Sequence, residues 1–152
     1  MIIGEAPGVK EDELGLPFVG RSGKLLDQLL EKAGFDIQKD IYICNVIKCR
    51  PPNNRKPTKS EIDASMPWLR QQILLVDPKV IALTGATALH AVLRIKEPIT
   101  QLRGKWLYWE GRAVMPLFHP SYLLRNPSTK INSPKFNTIS DLVEIQNKLK
   151  SL

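Results

Sequence analysis

The chain has 152 residues, 43% hydrophobic and 24% charged, which suits one compact domain with its own core and excludes a disordered or fibrous polypeptide. No apolar run approaches the ~20 residues that span a membrane, and residues 1–5 carry no basic leader, so an intracellular, cytoplasmic protein without membrane attachment is expected. The formal charge of +7 favours a polyanionic partner, although plain solubility accounts for such a charge too.

Taken in chain order, residues 1–4 form a short apolar run that reads as a buried strand. Residues 21–33 place Leu25, Leu26, Leu29 and Leu30 on one helical face, with Gly34 as a stop. A second apolar strand is expected over residues 41–47. A helix follows over residues 60–76, with Ile62, Leu69, Ile73 and Val76 at helical spacing and Asp77-Pro78 ending it. Residues 79–84 read as a third strand and residues 84–93 as a helix opening at Thr84-Gly85. Residues 106–109 and 112–117 read as a hairpin turning at Glu110-Gly111 and feeding a last strand over residues 113–118. Residues 137–149 carry a final apolar stripe, Ile139, Leu142, Val143, Ile145 and Leu149. Alternating strands and helices at these spacings predict one α/β domain over residues 1–152, its parallel sheet covered on both faces.

Ligands of such folds sit beyond the carboxyl ends of the strands. The segments expected there are residues 5–8, 45–52, 85–86 and 119–125, which are also the polar, Gly/Pro-rich and basic ones. The basic excess is regional as well. Residues 1–40 hold eight acidic and five basic side chains, whereas Lys48, Arg50, Arg55, Lys56 and Lys59 follow one another with no acid among them. Regional charge of this kind fits a nucleic-acid face.

Five pieces can carry chemistry. In Gly4-Glu5-Ala6-Pro7-Gly8, Glu5 stands at a strand tip where it can act on water or on positive charge, or the piece is simply a tight surface turn. Phe18 is either a stacking platform for a planar base or a core residue. Asn45 can offer a donor and an acceptor to a base edge, or satisfy nearby backbone. The loop from Lys48 to Arg55, with Arg50 and Asn54, is basic, amide-rich and stiffened by proline, as phosphate contact from a fixed loop requires. Finally, His119 falls where the last strand ends and can donate to a developing anion. After it, Ser121, Leu123, Leu124 and Arg125 offer a wedge and a phosphate contact. His90 lies within a helix and reads as structural or solvated. The two cysteines, Cys44 and Cys49, read as reduced structural thiols, too few for a cysteine-only metal site.

Together these pieces resemble the uracil-DNA glycosylase superfamily, family four. The resemblance rests on residues 4–8 (GEAPG), 15–20 (GLPFVG), 23–26 (GKLL), 42–55 (YICNVIKCRPPNNR), 78–85 (PKVIALTG) and 119–125 (HPSYLLR), in family order across most of the chain. It implies a three-layer α/β/α sandwich around a four-stranded parallel sheet. It implies excision of uracil from DNA by hydrolysis of the N-glycosidic bond, by a monomer. It also implies roles: Glu5 organises water and steadies a cationic sugar, Phe18 stacks on the flipped base, Asn45 reads its edge and His119 stabilises the departing anion. Ala6, Pro7, Gly8 and Glu11 border the base, while Arg50, Asn54, Arg55, Ser121, Leu123, Leu124 and Arg125 meet DNA.

The family's four-iron cluster sits on four cysteines. Two would precede the first strand, which this chain begins too late to include; Cys49 matches a third, and Ser65 stands where the fourth belongs. No cluster and no other cofactor or metal is therefore expected. A catalytically inactive DNA-binding homologue, or a glycosylase for another deaminated base, are the alternatives.

Overall fold

A computed structural model describes all of residues 1–152. The four expected strands are present as β1 (Ile2–Gly4), β2 (Ile43–Asn45), β3 (Val80–Thr84) and β5 (Arg112–Leu117). They pair in parallel in the order β2-β1-β3-β5. The sheet has a fifth strand beyond the four expected in parallel. It is β4 (Leu107–Trp109), the first arm of the hairpin, antiparallel on the β5 edge. Glu110 and Gly111 both take positive φ, 46° and 79°, as a two-residue primed turn requires.

The long helices are α2 (Arg21–Lys32), α4 (Lys59–Val76), α5 (Ala86–Leu93) and α8 (Pro134–Ser151). Four short ones add to them: α1 (Val9–Leu14), α3 (Ile37–Asp40), α6 (Ile99–Leu102) and α7 (Pro120–Arg125). No helix is long and apolar enough to cross a membrane.

Alternation along the strands divides the core. Ile2, Val80, Ala82, Ala113, Met115 and Leu117 face one side, where Leu25, Leu26, Leu29 and Leu30 of α2 and Leu142 and Ile145 of α8 cover them. Ile3, Cys44, Ile81, Leu83 and Val114 face the other, under Leu69 and Ile73 of α4 and Leu89 and Val92 of α5. The strands are nearly continuous apolar runs because both faces are covered. Three layers result, and they leave the carboxyl ends of β1, β2, β3 and β5 open at one rim.

The helix boundaries follow from their caps. Thr58 and Glu61 form a reciprocal capping box at the start of α4. Ser133 caps α8 with Pro134 in its first turn, so this helix starts three residues before its first expected position. A partly buried ion pair, Arg103 with Asp141, ties the segment before the hairpin to α8.

Candidate active site

β1 and β2 remain joined beyond their ends: Val46 N–H donates to Gly4 O and Ile47 N–H to Glu5 O, both at 2.9 Å. This ladder sets Glu5 and Asn45 side by side at the rim. Asn45 is 6% exposed, and its Oδ1 is buried with no hydrogen-bond partner. A native protein rarely leaves a buried acceptor unpaired, because the lost solvation costs ~1–3 kcal/mol. Its backbone carbonyl, by contrast, accepts from Lys48 Nζ at 2.5 Å, and Lys48 also reaches Gln72 Oε1 on α4. The amide is thus held from behind and left open in front.

Phe18 faces the same space. A β-carbon at Gly4 would lie 2.4 Å from Phe18 Cζ and 2.6 Å from Asn45 Oδ1, so only glycine lets the ring and the amide close over the strand end. Phe18 sits at φ 52°, a conformation that costs a side-chain-bearing residue energy and that surrounding contacts must impose. Two contacts do so. Gly23 of α2 packs directly on the Phe18 carbonyl, where a β-carbon would be 1.9 Å from the oxygen. Glu11 accepts from Val19 N at 3.0 Å, Gly20 N at 2.7 Å and Gly8 N at 3.1 Å. The Glu11 carboxylate is therefore occupied by backbone, and it ties the loop after β1 to the loop that carries Phe18. Pro7, Glu11, Pro17 and Asn45 line a cleft of about 290 Å³ beside the ring.

Across the ring stands His119, its centroid 6.0 Å from that of Phe18 with the planes tilted by 33°. His119 caps α7: Ser121 N–H donates to its Nδ1 at 3.1 Å, and Ser121 Oγ is 2.7 Å from the same nitrogen. A backbone N–H can only donate, so Nδ1 accepts and the neutral ring carries its proton on Nε2. That nitrogen has no partner within the chain. Burial pushes the imidazole below its usual range, against a pull upward from Glu5, and Arg125 adds to the lowering. The ring is accordingly neutral at pH 7 and presents one N–H donor. Glu5, Lys56, Gly85, Thr87, His119 and Ser121 surround a hollow of about 170 Å³. A larger cavity, about 330 Å³, lies at the opposite, amino ends of β1 and β3, away from these groups.

The depressed imidazole has a consequence for stability. In the unfolded chain His119 takes up a proton near its ordinary value of 6.5, whereas the folded state resists until a lower pH. Unfolded protein therefore binds more protons below pH 6.5, and stability falls as pH drops through that window. Thermal unfolding followed from pH 7 to pH 5 is expected to show a falling midpoint, with a shallower slope in His119→Gln. An equal slope in that variant would contradict the assignment.

The DNA-facing residues divide. Leu124 and Arg125 are exposed at the end of α7, but Leu123 is 1% exposed and packs in the core beside α2. The expected two-leucine wedge is corrected to one leucine, because successive helical residues point ~100° apart and the pair cannot share a face. Ser121 is engaged with His119. Arg50 Nε donates to Asn54 Oδ1 at 2.8 Å, which shapes the loop. Arg55 makes a two-pronged pair with Glu61, holding the Glu61 carboxyl down at about 2. Lys56, two residues from Thr58, borders the hollow.

The two cysteines lie in different settings. Cys49 is exposed, while Cys44 is 5% exposed in the core, its thiol pushed up to about 11 by burial. The reading of both as structural thiols is thereby corrected for Cys49. Residue 65, on α4, is a serine.

A carboxylate, an unpaired buried amide, an aromatic platform and a neutral imidazole converge at the carboxyl rim of a parallel sheet. They define an α/β protein with a polar and aromatic site at the strand ends, the place where ligands of such sheets bind. The family model of the Uracil DNA glycosylase superfamily matches residues 1–143, and the chain belongs to that superfamily. It is 50% identical over 133 residues to the Type-4 uracil-DNA glycosylase of Thermotoga maritima, covering 86% of this chain and 69% of that protein. To the Type-4 uracil-DNA glycosylase of Sulfurisphaera tokodaii it is 40% identical over 152 residues, covering 93% and 69%. It is also 37% identical over 108 residues to a DNA polymerase of Bacillus phage SP01, covering 71% of this chain and 12% of that protein.

Proposed function

We propose that the protein flips uracil out of DNA and hydrolyses its N-glycosidic bond, leaving an abasic site. The observation that carries this reading is the buried, unpartnered Oδ1 of Asn45 beside Phe18 and across from His119. Uracil supplies what that site lacks: its N3–H donates to Oδ1, its O4 accepts a hydrogen bond from Nδ2, and its ring stacks on Phe18. Flipping costs a few kcal/mol of lost stacking, which Leu124 filling the gap and Arg125 near phosphate help to offset.

Chemistry then follows from charge. As the bond to C1′ breaks, negative charge gathers on uracil and positive charge on the sugar. The Nε2–H of neutral His119 donates to uracil O2, so it stabilises the anion without having to give up its proton. Glu5 steadies the cationic sugar and directs water to it. Two free cysteines suit the reducing cytoplasm, where a chromosomal substrate is found in a prokaryotic cell.

Catalysis is proposed to proceed without an iron–sulfur cluster, because Ser65 stands where the family resemblance puts a cluster cysteine. Iron analysis of anaerobically purified protein is expected to find none bound; four irons per chain would overturn this. The function itself is tested by incubating uracil-containing DNA with the protein and measuring the free base by chromatography. Released uracil supports the reading. Release of hypoxanthine or xanthine from the corresponding DNA, with uracil retained, would replace it.

A further inference from the structure

The carboxylate of Glu5 is not held by its own segment. Thr87, in the first turn of α5 and 82 residues away, donates its hydroxyl to Glu5 Oε2 at 2.5 Å in a partly buried setting. Thr87 lies after the N-cap Gly85, which packs beneath His119: a β-carbon there would sit 3.1 Å from His119 Cβ. The start of α5 therefore touches both the acid and the imidazole, and Thr87, Glu5 and His119 line the same hollow.

We propose that Thr87 is the positioning residue for Glu5, fixing the carboxylate so that Oε2 is anchored on α5 and Oε1 alone faces the sugar and its attacking water. This rests on the uracil-excising reading of the site. Three features support it. A threonine hydroxyl on a helix ordinarily bonds to the carbonyl one turn back; in the first turn of α5 that carbonyl belongs to Leu83, within the β1–β3–β5 ladder, and Thr87 instead donates across the rim to Glu5. Glu5 has no other side-chain hydrogen-bond partner in the chain, so this one contact defines its rotamer. The other charged or titratable groups around the hollow are Lys56 and His119. A Glu5 freed from Thr87 can swing to either, and both destinations take it from the sugar. A carboxylate drawn onto His119 would also favour the imidazolium over the neutral donor.

The test is single-turnover excision on uracil-containing DNA by wild type, Thr87→Val and Thr87→Ser, with DNA affinity and melting measured in parallel. Thr87→Val keeps the shape and removes the hydroxyl. It is expected to slow excision ~10–100-fold, as losing a hydrogen bond to a charged, aligned group does. DNA affinity should be unchanged, since Thr87 holds the acid rather than the DNA. Thr87→Ser, which keeps the hydroxyl, should restore the rate. Thr87→Ala repeats the measurement with a smaller side chain should valine crowd the helix start. Active wild type with Thr87→Val and Thr87→Ala equally fast overturns the positioning role alone. Slowing that Thr87→Ser does not rescue overturns it too. Wild type silent on uracil overturns the underlying reading instead.

Discussion

Replacing His119 with alanine is expected to slow uracil excision by about 10²–10³-fold, the usual consequence of removing one donor aimed at a developing oxyanion. Geometry sets the effect before electrostatics does. Ser121 N–H occupies Nδ1, so the ring proton is on Nε2, and that nitrogen has no competing partner. Burial keeps the ring neutral, which means that no proton must be taken up before it can act. DNA affinity should persist, because the proposal gives phosphate contacts to Arg125 and the basic loop rather than to the imidazole. Binding and excision measured separately check this. Loss of both in the same proportion would make His119 a structural cap of α7 and nothing more.

The second large effect is expected at Asn45. Asn45→Asp keeps an acceptor for the N3–H of uracil but removes the donor for O4, and it sets a carboxylate where only a neutral amide now stands. Excision of uracil is expected to fall about 10–100-fold, in line with ~1–3 kcal/mol for a two-point base contact. Selectivity should move with it. Cytosine presents an exocyclic amine where uracil presents O4, and two carboxylate oxygens can accept from that amine, so a weak excision of cytosine should emerge. Assays on otherwise identical oligonucleotides carrying uracil or cytosine check both parts. An unchanged ratio of the two bases would show that Asn45 does not read the edge.

Much of this architecture is legible in the residues alone, and the misses have physical causes. The strands announce themselves because both sheet faces are covered, so Ile2-Ile3 and Val80 to Leu83 are unbroken apolar runs. The stripe of α2 is equally plain, with Leu25, Leu26, Leu29 and Leu30 all buried. Helix α1 escapes because its six residues, Val9–Leu14, bury nothing and carry no apolar period; its role is to present Glu11. Residues 120–125 carry a proline and two leucines, which in sequence suit an exposed wedge as well as a helix. Once they are helical, Leu123 must turn inward and Leu124 outward.

At the site, side chains that touch the ring or sugar can be named from chemistry, whereas those acting through another residue cannot. Glu11 is named at the base pocket, yet its oxygens hold the backbone of Gly8, Val19 and Gly20. Thr87 gives no signal in sequence, since a threonine in a short apolar helix is ordinary. Lys48 reads as one charge in a basic run, while in the fold it reaches back to Asn45 O. Such contacts join segments distant in sequence, and only the folded chain brings them together.

The most direct test of the account is a gel assay with purified protein and labelled oligonucleotides carrying one uracil, single-stranded and paired with guanine, followed by alkali. The account predicts a strand break at the uracil position that is absent with His119→Ala. Oligonucleotide bound but left intact at enzyme excess would contradict it.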